Sequence, residues 1–95
     1  MTVGTVYIRL VMRESHSLKD KRSIVKSLKD TLASRFNISV SEVDHLNEWQ
    51  QAGIGVAAVG TDGKFVGTVL NSVVQFVRLY PRAEMIEHVQ EVFEA

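Results

Sequence analysis

The chain has 95 residues, 45% of them hydrophobic, with 11 basic and 11 acidic residues and no cysteine. That length supports one domain over 1–95, the apolar fraction excludes a disordered chain, and the charge balance disfavours a strongly basic nucleic-acid-coating protein. The lack of cysteine excludes disulfides, thiolate zinc sites and cysteine nucleophiles. It fits a reducing compartment, so a cytoplasmic protein is expected. No apolar run approaches the ~18 residues of a membrane span, and the N-terminus lacks the layout of a signal peptide.

Val3 to Arg13 predicts the first strand. Val6, Ile8, Leu10 and Met12 alternate with Tyr7, Arg9, Val11 and Arg13, which is period two. The first set is expected to meet helices, and the second presents Tyr7, Arg9 and Arg13 on the other face. Glu14 to His16 form a turn. Ser17 is a good N-cap, and Asp20 falls three residues later, near the acidic position of a capping box. Helix one is predicted from about Leu18 to Arg35. Leu18, Val25, Leu28 and Leu32 mark one face, with Ile24 and Phe36 beside them.

A second stripe, Lys19, Arg22, Lys26 and Lys29, flanks the apolar one at about 100° per residue. Next to a helix N-terminus capped by Ser17, it is a candidate for holding phosphate, as in RNA. The competing reading is a solvated face, partly offset by Asp20 and Asp30.

The same stretch carries a resemblance. Ser17-Leu18-Lys19-Asp20-Lys21-Arg22-Ser23-Ile24-Val25-Lys26-Ser27-Leu28-Lys29 resembles the signature of the YlxP-like family, small bacterial proteins of unknown function. The run Asn37 to His45, followed by Trp49-Gln50 and Ile54-Gly55-Val56-Ala57, is similar to the family's second block. The resemblance implies a ferredoxin-like βαββαβ domain. It also implies a link to translation, because genes of the family commonly sit beside those for translation initiation and ribosome-binding factors. It carries no catalytic residues over.

Ile38 to Asp44 predicts an imperfect, Ser-rich edge strand; a short helical turn within Ser41 to Trp49 is the alternative. His45 to Gln51 form the hairpin loop. Gly53 to Gly60 predicts strand three, with Ile54, Val56 and Ala58 towards the core and Gly55, Ala57 and Val59 opposite. Its small residues suggest a central strand with something packed close to it. Thr61-Asp62-Gly63 starts helix two, whose Val66, Val69, Leu70, Val73, Val77 and Tyr80 follow helical spacing against their β-branched propensity. Pro81 ends it. Ala83 to Phe93 alternates and predicts strand four, with a third helix as competitor.

These elements predict an α+β, ferredoxin-like sandwich: a four-stranded antiparallel sheet with two helices on one face. Right-handed crossovers then place Glu14–Ser17, His45–Gln51 and Tyr80–Arg82 along one edge. That edge gathers His16, Lys19, Asp44, His45, Glu48, Trp49 and Arg82 as a candidate ligand site. Asp44 with His45 has the chemistry of an orienter and base, but no nucleophile is placed by spacing. No HxxxH or HxH spacing points to a metal, no cofactor is implied, and no nucleophile elbow is present. An RNA-recognition motif of the usual kind would put aromatics on strands one and three; strand one offers Tyr7 and strand three none.

Three readings follow. The leading one is a non-catalytic binding protein associated with RNA or the ribosome through Ser17, Lys19, Arg22, Lys26 and Lys29. The second is a homo-oligomer joined through the sheet face or an edge. The third is a small anion binder or enzyme at the His16/His45 edge.

Overall fold

The computed structural model describes residues 1–95. The elements run β1 (Thr2–Val11), α1 (Leu18–Arg35), β2 (Ser39–Asp44), β3 (Gln51–Gly60), α2 (Gly63–Arg78) and β4 (Glu84–Glu94). The strands form one antiparallel sheet in the order β2-β3-β1-β4. This is the expected ferredoxin-like α+β arrangement.

Alternation along β1 and β3 decides which face the helices cover. Val6, Ile8 and Leu10 of β1 and Ala52, Ile54, Val56 and Ala58 of β3 are buried. They meet Ile24, Val25, Leu28 and Leu32 of α1 and Val66, Leu70, Val73, Val74 and Val77 of α2 in a core of 17 residues that also holds Met12. Burying each large aliphatic side chain contributes about 1.5–3 kcal/mol. The opposite face of the sheet has no helix on it and carries Tyr7, Arg9, Gln51, Gly55, Ala57 and Val59.

The helix signals act as read. Ser17 Oγ accepts the Asp20 N–H at 3.0 Å, and Asp20 Oδ2 accepts the His16 N–H at 3.0 Å. Ser17 thus caps α1, and Asp20 reaches back past the cap to the residue before it, where a capping box would bond the cap's own N–H. In α2, Asp62 caps the Phe65 N–H at 2.8 Å, and the apolar periodicity overrides the β-branched content. The helix closes at Arg78, before Pro81, where the Leu79 N–H turns back to the Phe76 and Val77 carbonyls.

β1 stops short of Arg13. Met12 still donates to the Gln50 carbonyl at 2.9 Å, but Ser15 N–H closes a turn onto the Met12 carbonyl at 3.1 Å. The segment expected over Ala83–Phe93 is a strand, running Glu84–Glu94, because it pairs with β1 on either side of one bulge. A helix there would leave that side of β1 unpaired.

Two bulges break the ladders. Arg9 pairs with Glu87 and Leu10 with Met85, so Ile86 is the extra residue in β4. Glu42 pairs with Ile54 and Asp44 with Gly53, so Val43 is the extra residue in β2. The second bulge positions the site. Without it Glu42 and Asp44 would share a face; with it, Glu42 turns to the helix side and Asp44 to the open face.

Candidate functional site

The basic stripe lies on the outer flank of α1, above the β2 edge. On the other side of the helix, Ser27 receives the Tyr80 hydroxyl at 3.4 Å, where the end of α2 meets α1. Lys19, Arg22 and Lys26 are exposed and Lys29 is half-buried. Lys26 pairs with Asp30 at 2.6 Å. Lys19, Arg22 and Lys29 have no carboxylate partner, in contrast to the paired Arg9, Arg13 and Lys21. Ser17 serves the helix itself, since its oxygen is committed to the cap, and the Asp20 carboxylate already occupies the first turn.

Lys21 stands apart from the other cations. Its position, four residues before Val25 and seven before Leu28, puts it on the core stripe of α1, and its side chain is 0% exposed. Its Nζ donates to Glu42 Oε2 at 2.7 Å and to the His45 and Leu46 carbonyls at 2.9 and 3.1 Å. All three ammonium protons are used. The His45 carbonyl so held belongs to the one non-glycine residue with positive φ, 58°. Histidine is among the residues that tolerate this region. A buried lysine therefore fixes the loop on which His45 stands.

On the open face the upper ends of the strands carry a continuous polar chain. The Tyr7 hydroxyl donates to Asp44 Oδ2 at 3.0 Å. Asp44 Oδ1 accepts the His45 N–H at 2.9 Å, and Asp44 Oδ2 lies 3.5 Å from His45 Nε2. His45 Nδ1 contacts Glu48, whose other oxygen accepts from Gln51 at 3.1 Å. Gln51 accepts from Arg9 at 3.1 Å, and Arg9 donates to Glu87 at 2.9 Å. Gly53 makes the first link possible, because a Cβ there would lie 2.7 Å from the Tyr7 hydroxyl and 2.6 Å from Asp44 Cβ.

This geometry shifts two groups. The His45 N–H and then the Tyr7 hydroxyl hold the Asp44 carboxyl below its ordinary range. Burial first, then the bond to Asp44, pushes Tyr7 above the ordinary tyrosine range. Tyr7 is favoured in its protonated form, so its contribution to stability is present below the unfolded value of about 10 and is lost as pH rises through the higher folded value. Asp44 contributes above about 3.9 and loses that contribution as pH falls through its lowered folded value. In a Tyr80→Phe background Tyr7 is the only tyrosine. Its phenolate absorbance is expected to titrate above pH ~10. Asp44→Asn, which removes the charge, is expected to lower that midpoint. An unmoved midpoint would rule out the Asp44 contribution.

The edge gathered from topology divides in two. Arg82 sits with Val11, Arg13, Glu14, Pro81, Ala83 and Glu84. Trp49 sits with Asn47, Glu48, Gln50 and Gln51 in a separate shallow depression and is exposed. The cause is sheet order: β4 flanks β1 on the side away from β3, so the α2–β4 turn emerges away from the β2–β3 loop. His16 and His45 share no hydrogen bond. Their loops are joined instead by Gln50, whose Nε2 donates to the Arg13 and Ser15 carbonyls at 3.1 and 3.0 Å. His88 is exposed on β4, opposite Ile8. No three His, Asp or Glu side chains converge as ligands for one metal ion, and no helix is long and apolar enough to cross a membrane.

The sequence reading missed Lys21, Gln51 and Glu87 as parts of this arrangement. Lys21 was detectable as a cation on the apolar stripe of an amphipathic helix. The joining of Tyr7 to Asp44 was signalled only by a glycine inside strand three.

A ferredoxin-like α+β domain with a basic helix flank, an uncovered sheet face and shallow surface depressions is the class that fold and site define. The family described as "Protein of unknown function (DUF503)" matches residues 3–90, and the chain belongs to it. The chain is also 28% identical over 82 residues to the "Uncharacterized protein YlxP" of Bacillus subtilis (strain 168), an alignment covering 86% of this chain and 89% of that one.

Proposed function

We propose that the protein is a non-catalytic binding module of the cytoplasm that holds ribosome-associated RNA along the outer flank of α1. The observation that carries this reading is the contrast among its cations. Arg9 and Arg13 of the β1 segment are neutralised by glutamates of β4, whereas Lys19, Arg22 and Lys29 on one flank have no acidic partner. From Lys19 to Lys29 the stripe runs about 15 Å at the helical rise. That is long enough to follow several phosphates of a strand, which is the chemistry that recognises RNA independently of sequence. The ribosome as the source of that RNA rests on the gene context that the family resemblance implies.

The test is co-sedimentation with ribosomal subunits at two salt concentrations, and titration of a single-stranded RNA, for the parent and a Lys19→Glu/Arg22→Glu/Lys29→Glu variant. The parent is expected to bind at low salt, and the variant to lose binding. Each phosphate contact contributes about −0.7 to the slope of log K against log salt for single strands, so three contacts give a slope near −2. A parent that fails to bind at low salt, or a variant that binds as the parent does, refutes the proposal.

A further inference from the structure

The two edges of the sheet are built differently. β2 is short, at 6 residues, and packs against α1. Its exposed Ser39 and Ser41 are polar. These are the usual protections of an edge strand. β4 has 11 residues, EMIEHVQEVFE, with neither lysine nor proline. It exposes large apolar side chains on both faces: Val89, 54% exposed, and Phe93, 47% exposed, on the open side, and Val92 on the helix side. These exposed apolar side chains, set among polar ones on both faces, leave β4 less guarded than β2.

Its acidic residues do not guard it either. Glu84 is paired with Arg13, Glu87 with Arg9 and Glu94 with the chain's own N-terminus, all on the β1 side; of the four glutamates in β4 only Glu91 is unpaired. The whole chain has a formal net charge of zero, so two copies carry no general repulsion.

We infer that β4 pairs antiparallel with β4 of a second copy about a two-fold axis, joining two four-stranded sheets into one of eight strands. The self-complementary register is centred on Val89. It sets Val89 against Val89 of the second copy and His88 against Gln90. It also places Glu91 opposite the Arg9–Glu87 pair, where a guanidinium offsets the two carboxylates. Such an isologous contact closes on itself and does not propagate. It lies at the opposite edge of the sheet from the α1 stripe, so it stands or falls independently of the RNA reading.

The test uses the full chain. Sedimentation of the parent is expected to show a monomer–dimer equilibrium that depends on concentration. Val89→Lys, a guarding substitution at an exposed position, is expected to give a folded monomer whose melting temperature no longer depends on concentration and whose RNA binding is unchanged. The chain has no cysteine, so single cysteines report the register. Across an antiparallel pair the Cα atoms stand about 4.5–5.5 Å apart, within reach of a disulfide. Val89→Cys is therefore expected to cross-link to a dimer on mild oxidation. Val59→Cys, equally exposed on the open face, is expected not to. A parent that stays monomeric at every concentration overturns the inference, including one that binds an extended peptide of another protein at this edge. So does a Val89→Lys variant that dimerises as the parent does. Preferential cross-linking through Val59 overturns it in favour of a face-to-face dimer.

Discussion

Lys21→Met is expected to lower the free energy of unfolding by about 3–5 kcal/mol, the range for breaking a buried ion pair from one side. The methionine fills most of the volume left by the lysine stem, so the loss is not mainly one of packing. It comes from what Nζ leaves behind. Glu42, only 13% exposed, keeps a carboxylate without its cation. The His45 and Leu46 carbonyls lose their donor in a part-buried position, and each unsatisfied group costs about 1–3 kcal/mol. A domain of this size has ~5–15 kcal/mol in all, so the variant should be marginal at ambient temperature. Urea unfolding with an unchanged m-value is the measurement. The double variant Lys21→Met/Glu42→Leu should recover part of the loss, because it removes both charges. Recovery should be incomplete, because the two carbonyls still lack a partner. A loss below about 1 kcal/mol, within the range of an exposed ion pair, would mean that water reaches this site and that the ammonium is not the anchor of the β2–β3 loop.

The Lys21 arrangement also shows where sequence reasoning stops. The helix Leu18–Arg35 was legible to the residue because its signals are local: an N-cap, an acid three positions on, and apolar residues at helical spacing. α2 and β4 were legible because periodicity outweighs propensity over ten or more residues. What joins Tyr7 to Asp44, or Lys21 to Glu42, is not local. It depends on the register of β2 against β3 and on the bulge at Val43, and nothing in the sequence Ser-Val-Ser-Glu-Val-Asp fixes where an extra residue goes. A shift of one residue would exchange the faces of Glu42 and Asp44. Topology gathered three connections at one end of the sheet. The structure sets Arg82 beside Arg13 and Glu14, where the β1–α1 connection begins, and away from the β2–β3 loop, because connections at the same end of a sheet can still leave it on opposite flanks. The basic stripe was legible as a pattern, but which of its members lack an acidic partner is decided by the fold.

Gly53→Ala is expected to cost about 1–3 kcal/mol, the range for forcing a methyl into a closely packed site. The added Cβ would stand 2.6 Å from Asp44 Cβ, 2.7 Å from Tyr7 Oη and 2.9 Å from Tyr7 Cε1. The tyrosine ring can rotate away, at the expense of its bond to Asp44. Asp44 Cβ cannot, because it is fixed to the backbone at the strand bulge. The strain therefore reaches the β2–β3 ladder as well as the side-chain chain. Two comparisons separate these routes. In a Tyr7→Ala background Gly53→Ala should cost less, and a double-mutant cycle should return a coupling of at least about 0.5 kcal/mol, as for residues in contact. Gly55→Ala should cost less than Gly53→Ala, because the nearest atoms to its Cβ would be those of the Val43 side chain, at 3.1 Å and beyond. Gly53→Ala should also shift the Tyr7 titration downwards, since the hydroxyl loses its carboxylate, while leaving the α1 flank untouched. Additive costs with an unshifted titration would mean that the sheet yields as a whole. In that case the glycine in strand three is there for the ladder, and the open-face polar chain that runs from Tyr7 to Glu87 does not depend on it.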